Sequence, residues 1–253
     1  MKKFILKIDN ILFFGFFKYF IKKIIYYFNK FKIENNNFVN KIYFDEHQNS
    51  LAELCEKYGS DKGFINLDKK KNYNWKPHTY STIYYDLFSH CKDNINLIFE
   101  CGIGSNNEML VSNMTGEGKP GASLRVWRDY FKNAEIYGAD IDKNILFQED
   151  RIKTFYVDQL NKESIKSMWN NIKINNFDII IDDGLHTFES GIILFENSFE
   201  KLRKDGIYII EDVKYSYFNN LMKYLKRFNP RGIELNYKKE NYFDNNLIII
   251  KKN

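Results

Sequence analysis

Two aspartates and a histidine follow one buried strand pattern, and they are the residues best suited to chemistry. The stretch FDIIIDDGLHTF, residues 177–188, carries an apolar, β-branched run towards the interior and then places Asp182, Asp183 and His186 directly after it. Burying a charge is unfavourable unless the charge is paired or bound to a metal. Carboxylates bind hard cations, and an imidazole exchanges protons near neutral pH. The spacing therefore predicts a ligand site at the end of this strand.

The elements that must position these residues alternate along the chain from residue 95. Five strand patterns, each ending near glycine or acidic residues, are separated by helical patterns, and two further strands close the sequence. This order predicts an α/β fold with a mostly parallel, seven-stranded sheet and helices on both faces. Ligands bind such sheets outside the carboxyl ends of the strands. The helical pattern after His186 is predicted to extend from residue 188 to a stop at Gly206.

The composition argues against several other kinds of protein. A net charge of +5 on 253 residues is mild, and no compact basic stripe with spaced aromatics occurs in the body of the chain, so a nucleic-acid partner is not expected. The three cysteines, Cys55, Cys91 and Cys101, are odd in number and form no C-x-x-C pair. That pattern disfavours a disulfide framework or a zinc site and fits a reducing, cytoplasmic location.

The first 32 residues differ in character from the rest of the chain. They are rich in Phe, Ile, Tyr and Lys, but Lys18, Lys22 and Lys23 interrupt the apolar run that a membrane-spanning helix requires. Small residues typical of a signal-peptide cleavage site do not follow. The segment fits a basic amphipathic helix on the inner face of an anionic membrane, or equally a helix packed on its own domain or on a second subunit.

Three regions follow from these patterns. Residues 1–40 are predicted to form the N-terminal helical extension, residues 41–92 a helical lid subdomain, and residues 93–253 the Rossmann-like domain. An extension of this kind also leads us to expect a homo-oligomer.

The turn after the first strand of the sheet, ECGIGS at residues 100–105, resembles a cofactor-binding turn. Gly102 and Gly104 allow the backbone to approach a ligand closely. A dinucleotide site would continue with a third glycine, but Asn107 stands there. The charge of Glu100 opposes a pyrophosphate and suits a positive amino or sulfonium group.

Further acids end the next two strands. Asp140 is placed to accept both hydroxyls of a ribose, and Asp158 with Gln159 is placed beside an adenine edge. A single strand-end aspartate usually caps the following helix. The complete series of acids and glycines at successive strand ends favours S-adenosylmethionine instead.

Seven stretches between about residue 50 and residue 215 resemble a known family. The chain is similar to class I S-adenosylmethionine-dependent methyltransferases, and among them to the metal-dependent sugar O-methyltransferases of the macrocin and mycinamicin type. The stretches are YGSDKG (58–63), HTYSTIYYDLF (78–88), FECGIGS (99–105), PGASLRVWRDYFKNAEIYGADID (120–142), RIKTFYVDQ (151–159), FDIIIDDGLH (177–186) and GIYIIEDV (206–213). The resemblance implies a Rossmann-like fold and transfer of a methyl group to an oxygen atom.

In that fold the fourth and fifth strands are neighbours, which brings three carboxylates together. Asp183 ends one strand, and Glu211 and Asp212 end the other. Converging carboxylates repel each other unless a cation or protons intervene. Mg²⁺ is the expected ion, with Mn²⁺ and Ca²⁺ as alternatives. The resemblance implies these same three ligands.

Residues around the metal have expected roles as well. The resemblance implies that His186 is the general base beside the catalytic Asp183. From their positions, Asp182 is expected to hold the helix or a neighbouring group, and Lys62 and Tyr80 to fold over the cofactor, with Lys62 against its carboxylate. The other histidines, His47, His78 and His90, have no such support as bases, although His78 is placed to line a lid with Tyr80.

No residue pattern in the sequence identifies the methyl acceptor, so several functions stay open. The resemblance implies a sugar hydroxyl on a glycosylated small molecule or on a glycan precursor, such as a capsule polysaccharide precursor. A non-sugar hydroxyl or a phosphoryl oxygen is an alternative. A nicotinamide-dependent oxidoreductase and a non-catalytic, membrane-attached binding module are the two rival classes.

Overall fold

The structure is a computed structural model that describes residues 39–44, 48–66, 68, 70–71, 73, 75–238 and 244–253. The amphipathic helix predicted for residues 1–32 lies outside these ranges, and its partner stays a prediction. Among the helices that the structure describes, none has both the length and the apolar character needed to cross a membrane.

Six α-helices and nine strands make up the regular structure of the described residues. The helices are α1 (Ser50–Tyr58), α2 (Tyr80–Phe88), α3 (Ala122–Tyr130), α4 (Lys162–Ile172), α5 (Phe188–Ser198) and α6 (Tyr215–Tyr224). The strands are β1 (Val39–Phe44), β2 (Leu97–Cys101), β3 (Glu135–Asp140), β4 (Gln148–Glu149), β5 (Ile152–Tyr156), β6 (Phe177–Asp182), β7 (Leu202–Ile210), β8 (Arg231–Tyr237) and β9 (Asn246–Lys251).

The strands form one mixed sheet in the order β1-β8-β9-β7-β6-β2-β3-β5-β4. The five central strands, β7-β6-β2-β3-β5, are parallel to one another, and β9 is antiparallel to both of its neighbours. The predicted Rossmann-like α/β fold is confirmed. The predicted number of seven strands was too low, because the described part of the sheet contains nine.

The two additional strands lie at the edges of the sheet. The six-residue β1 pairs in parallel with β8, although its residues fall in segments predicted to be helical or irregular. The two-residue β4 pairs antiparallel with β5. The two residues of β4 are too few to show a periodicity, and the β1 sequence VNKIYF does not alternate apolar and polar residues. Hydrogen bonds from the partner strands define both.

Helices cover both faces of the sheet, which explains the unbroken apolar run in β6. Ile180 packs into the core under α4, α5 and α6, whereas Ile179 and Ile181 pack into the core under α1, α2 and α3. A central parallel strand with two covered faces needs apolar side chains at every position. This requirement ends at the carboxyl end of β6, where Asp182 and Asp183 follow the apolar residues.

The helix predicted for residues 188–206 is shorter than expected. It ends at Ser198, and a single turn of 3₁₀ helix leads directly into β7 at Leu202. Leu202 is buried and pairs with Phe177 of β6. Sheet pairing and burial therefore override a local pattern that continues the helical spacing.

Candidate active site

A cavity of about 750 Å³ lies over the carboxyl ends of β2, β3, β5, β6 and β7. This volume is within the usual range for a small-molecule site. Ten predicted site residues line it: Lys62, Gly102, Gly104, Asp140, Asp158, Gln159, Asp183, His186, Glu211 and Asp212. The other two, Glu100 and Tyr80, are fully buried and are not among the described lining residues.

Gly102 forms the tight turn that connects β2 to the cavity. Its φ is +87°, and a Cβ there would lie 2.0 Å from the carbonyl oxygen of Asp183. Its N–H donates to the carbonyl of Ala139 at 2.8 Å. The turn therefore depends on glycine twice, for its backbone conformation and for the close approach to the β6 loop.

Gly102→Ala is expected to disrupt this junction. The added methyl would strain the backbone and push the Asp183 carbonyl away, so we expect a loss of about 2–4 kcal/mol in unfolding free energy. Thermal unfolding measures the loss, and Gly116→Ala is the control, since no atom lies within 4 Å of a Cβ at that position. Equal stability of both variants would show that the turn relaxes freely.

The acids predicted to hold the cofactor also shape the loops around it. Asp140 accepts hydrogen bonds from the backbone N–H groups of Ile103 and Asp142, both at 2.9 Å. Each carboxylate oxygen has two acceptor positions, so Asp140 retains capacity for ribose hydroxyls. Gln159 bridges to the β6 loop by donating to Asp182 and accepting from the N–H of Leu185. Their contacts with a cofactor stay predictions.

Lys62 makes contacts with three carboxylates that the sequence did not indicate. Its side chain is buried, and Nζ lies 3.1 Å from Glu100 Oε1, 2.6 Å from Asp183 Oδ2 and within hydrogen-bonding distance of Glu211 Oε2. These carboxylates raise the pKa of Lys62, although burial alone would lower it. Lys62 thus joins the end of β2 to the ends of β6 and β7, and its contact with a cofactor carboxylate stays a prediction.

Lys62→Met is expected to destabilise the protein by about 3–5 kcal/mol, because it leaves buried carboxylates without their cation. The melting temperature should fall by roughly 6–20 °C. Mg²⁺ should raise the melting temperature of the variant more than that of the wild type, since it can neutralise the same carboxylates. The control is Lys166→Met, which breaks an exposed pair with Glu163. A variant with unchanged melting would contradict the role of Lys62.

Asp183, His186 and Asp212 converge at the ends of β6 and β7. One ligand atom from each lies within 4.8 Å of the others. Pairing of the two strands causes this, since Asp182 lies beside Ile210 in the register and the next residues leave the sheet together. Glu211, the third predicted metal ligand, instead binds Lys62 and the hydroxyl of Tyr84. Its role as a ligand stays a prediction.

Residues from α2 and its N-terminal loop hold Asp212 from the other side. The Tyr80 hydroxyl donates to Asp212 Oδ1 at 2.7 Å, and the stacked ring of His78 lies 3.5 Å from the same oxygen. Burial alone would lower the pKa of His78, but Asp212 and Asp244 raise it to about 10. His78 was expected to lie near Tyr80, but neither its contact with Asp212 nor the position of Asp244 was predicted, because neither residue has a diagnostic spacing to Asp212 in the sequence.

The charges of the site fit a divalent cation. Four buried or half-buried carboxylates, those of Glu100, Asp183, Glu211 and Asp212, face the cations Lys62 and His78. Burial and the neighbouring acids raise the pKa of Asp183 well above its usual value, and that of Glu211 rises to about 7. An oxygen-rich donor set with surplus negative charge is what Mg²⁺ binds in proteins.

His186 lies at the rim of this cluster with an unusual backbone. Its φ is +56°, and α5 begins directly after it with a capping box between Thr187 and Ser190. The helix start and the strand end thus fix the imidazole between them, with Nε2 3.9 Å from Asp212 Oδ2. Burial lowers the pKa of His186, although Asp212 opposes this shift, and a lowered pKa favours the neutral ring that is able to accept a proton.

Comparison with known proteins points to sugar O-methyltransferases. The chain is 30% identical over 168 residues to 8-demethyl-8-alpha-L-rhamnosyl tetracenomycin-C 2'-O-methyltransferase of Streptomyces olivaceus. The matched residues make up 66% of this chain and 39% of that protein. It is 36% identical over 98 residues to demethylmacrocin O-methyltransferase of Streptomyces fradiae, covering 39% of this chain and 24% of the relative. The chain thus spans well under half of the length of these relatives. No protein-family model matches it.

Solved structures agree with this relationship. MycE methyltransferase from the mycinamycin biosynthetic pathway, in complex with Mg and SAH, superposes with a TM-score of 0.52 at 26% identity, covering 69% of this chain and 40% of that one. The MycE complex with Mg, SAH and mycinamycin VI superposes with a TM-score of 0.57 over 82% of this chain and 56% of that one, at 22% identity. The chain has the fold of the class I S-adenosylmethionine-dependent methyltransferases and is similar to the macrocin- and mycinamicin-type sugar O-methyltransferases.

Proposed function

We propose that this protein transfers a methyl group from S-adenosylmethionine to a sugar hydroxyl with the help of a divalent cation. One observation carries the proposal: a single cavity joins the glycine turn and Asp140 to the cluster of Asp183, His186 and Asp212. The first part suits the methyl donor, and the second suits a cation and a base. A cavity of about 750 Å³ also leaves room for part of an acceptor.

The residues divide the chemistry among them. Asp183 and Asp212 would hold the cation, with Glu211 as the third predicted ligand. Bound S-adenosylmethionine would supply the electrophilic methyl group, and a bound cation would lower the pKa of the acceptor hydroxyl. The neutral His186 accepts the hydroxyl proton at Nε2. Lys62 keeps Asp183 and Glu211 in place by hydrogen bonds from its buried ammonium group.

The acceptor is most simply a sugar carried by a small molecule. The relatives are named for methylation of a rhamnosyl tetracenomycin and of demethylmacrocin, and one MycE structure contains mycinamycin VI. The alternative acceptor is a sugar on a glycan precursor, such as a precursor of a capsule polysaccharide. It depends on membrane attachment through residues 1–32, which lie outside the described residues.

Turnover of methyl-labelled S-adenosylmethionine with a panel of acceptors tests the proposal. The panel holds a rhamnosyl aryl glycoside, a nucleotide-linked sugar, a lipid-linked sugar and a non-sugar alcohol, each with Mg²⁺ or with chelator. We expect label transfer to a sugar hydroxyl only when Mg²⁺ is present. Transfer to the alcohol alone would overturn the acceptor class. Tight binding of NAD⁺ with no binding of S-adenosylmethionine in calorimetry would support the oxidoreductase alternative instead.

A further inference from the structure

Two buried polar atoms behind the cation cluster have no hydrogen-bond partner among the described residues. They are Oδ2 of Asp182 and Nδ1 of His186. The opposite atom of each side chain is accounted for: Asp182 Oδ1 accepts from Gln159 Nε2 at 2.6 Å, and His186 Nε2 lies towards Asp212. Buried polar atoms in folded proteins nearly always have a partner, from the protein or from ordered water.

Both side chains line the same small cavity at the start of α5. Its volume is about 10 Å³, which is on the order of what a single water needs. Gly191 leaves this room, because a Cβ at that position would lie 3.7 Å from Asp182 Oδ2 and 3.6 Å from Leu221 Cδ2. His186 lines both this small cavity and the main cavity, as do Glu211 and Asp212.

We propose that one water bridges His186 Nδ1 and Asp182 Oδ2, which makes Asp182 a positioning residue for His186. The water donates to the carboxylate, which can only accept, and this polarises the water into a better hydrogen-bond acceptor. It then accepts a hydrogen bond from an N–H at Nδ1, so the bridge favours the neutral tautomer with its proton on Nδ1 and leaves Nε2 free towards the main cavity. The catalytic use of Nε2 rests on the proposed function, but the tautomer does not.

Asp182→Asn reverses the direction of this bridge without changing the volume of the side chain. The amide oxygen keeps the hydrogen bond from Gln159, so the amide N–H₂ faces the cavity in place of Oδ2. The water then accepts from the amide and donates to Nδ1, and the imidazole proton moves to Nε2. A base with its proton on the wrong nitrogen should lower kcat by roughly 10²-fold or more. The binding of Mg²⁺ and of S-adenosylmethionine should change little.

Gly191→Ala removes the water while keeping Asp182. The new methyl makes ordinary contacts of 3.6 Å and 3.7 Å, and alanine is favoured over glycine inside a helix, so the fold is kept. Without the water the preference for Nδ1–H should be lost, and kcat should fall by roughly 10-fold with little change in KM. Gly116→Ala is the matched control, because its Cβ would meet open space.

The test is the tautomer of His186 in the full chain loaded with Mg²⁺. Two-bond ¹H–¹⁵N spectra of ¹⁵N-histidine protein distinguish Nδ1–H from Nε2–H, and His186→Gly identifies the signal among the four histidines. We expect Nδ1–H in the wild type, Nε2–H in Asp182→Asn, and a mixture in Gly191→Ala. Nε2–H in the wild type, or an unchanged tautomer in Gly191→Ala, would overturn the bridge. The expected tautomers in a protein that transfers no methyl group would instead refute only the proposed function.

Discussion

Asp183→Asn is expected to reduce turnover by about 10²–10³-fold while binding of S-adenosylmethionine persists. The asparagine keeps the volume but removes one of the charges that bind a cation, and Asp183 is also a partner of Lys62 at 2.6 Å. Titration calorimetry should show weaker Mg²⁺ binding and nearly unchanged cofactor binding. Chelator should abolish wild-type turnover, and added Mg²⁺ should restore it.

The control for this experiment is Asp150→Asn, whose side chain is 90% exposed in the turn between β4 and β5 and is not among the described residues that line the cavity. That variant should match the wild type in turnover and in Mg²⁺ affinity. If Asp183→Asn retains full turnover in chelator, the metal-assisted mechanism is wrong, and positioning of the two substrates alone would account for catalysis.

His186→Gly is expected to lower kcat by roughly 10²–10⁴-fold, the usual effect of losing a general base. Glycine is a better replacement than alanine, because the φ of +56° at this position favours glycine and relieves backbone strain. The variant should therefore melt within a few degrees of the wild type, so lost activity cannot be assigned to misfolding. Added imidazole should restore part of the rate, since the deleted ring leaves space for it.

Metal affinity separates the two roles open to His186. Its ring nitrogen lies in the same cluster as the carboxylates of Asp183 and Asp212, so it is also placed to be a ligand. If it is the base, Mg²⁺ affinity should change less than about threefold in His186→Gly, which is under 1 kcal/mol. A loss of tenfold or more, with no rescue by imidazole, would make it a ligand and leave the base unidentified.

The sequence by itself determined the parallel core of the sheet and the edge that carries the chemistry. The run Ile179–Ile181 is apolar at every position because both faces of β6 are covered, and that pattern is readable without the fold. Acids and glycines after successive strands then lie at one edge, since parallel strands end together. Asp140, Asp158, Asp183 and Asp212 were found in this way, and all of them line the cavity.

Local patterns failed where a distant partner defines the element. Residues 39–44 form β1 because they pair in parallel with β8, which lies about 190 positions later in the chain. The helical spacing after Ser198 gave way to β7 because Leu202 pairs with Phe177. In both places the hydrogen bonds come from the sheet, and no short window of sequence contains them.

Only the tertiary structure determined which charged and polar side chains pair with each other in the site. Lys62 reaches Glu211 across 149 positions, and Tyr84 reaches the same carboxylate across 127. The sequence predicts that several acids converge, but it does not show that a lysine from the loop after α1 already neutralises part of their charge. The reason is physical: the pairing of buried charges depends on distances of a few ångströms and on desolvation, and both are set by packing rather than by spacing along the chain.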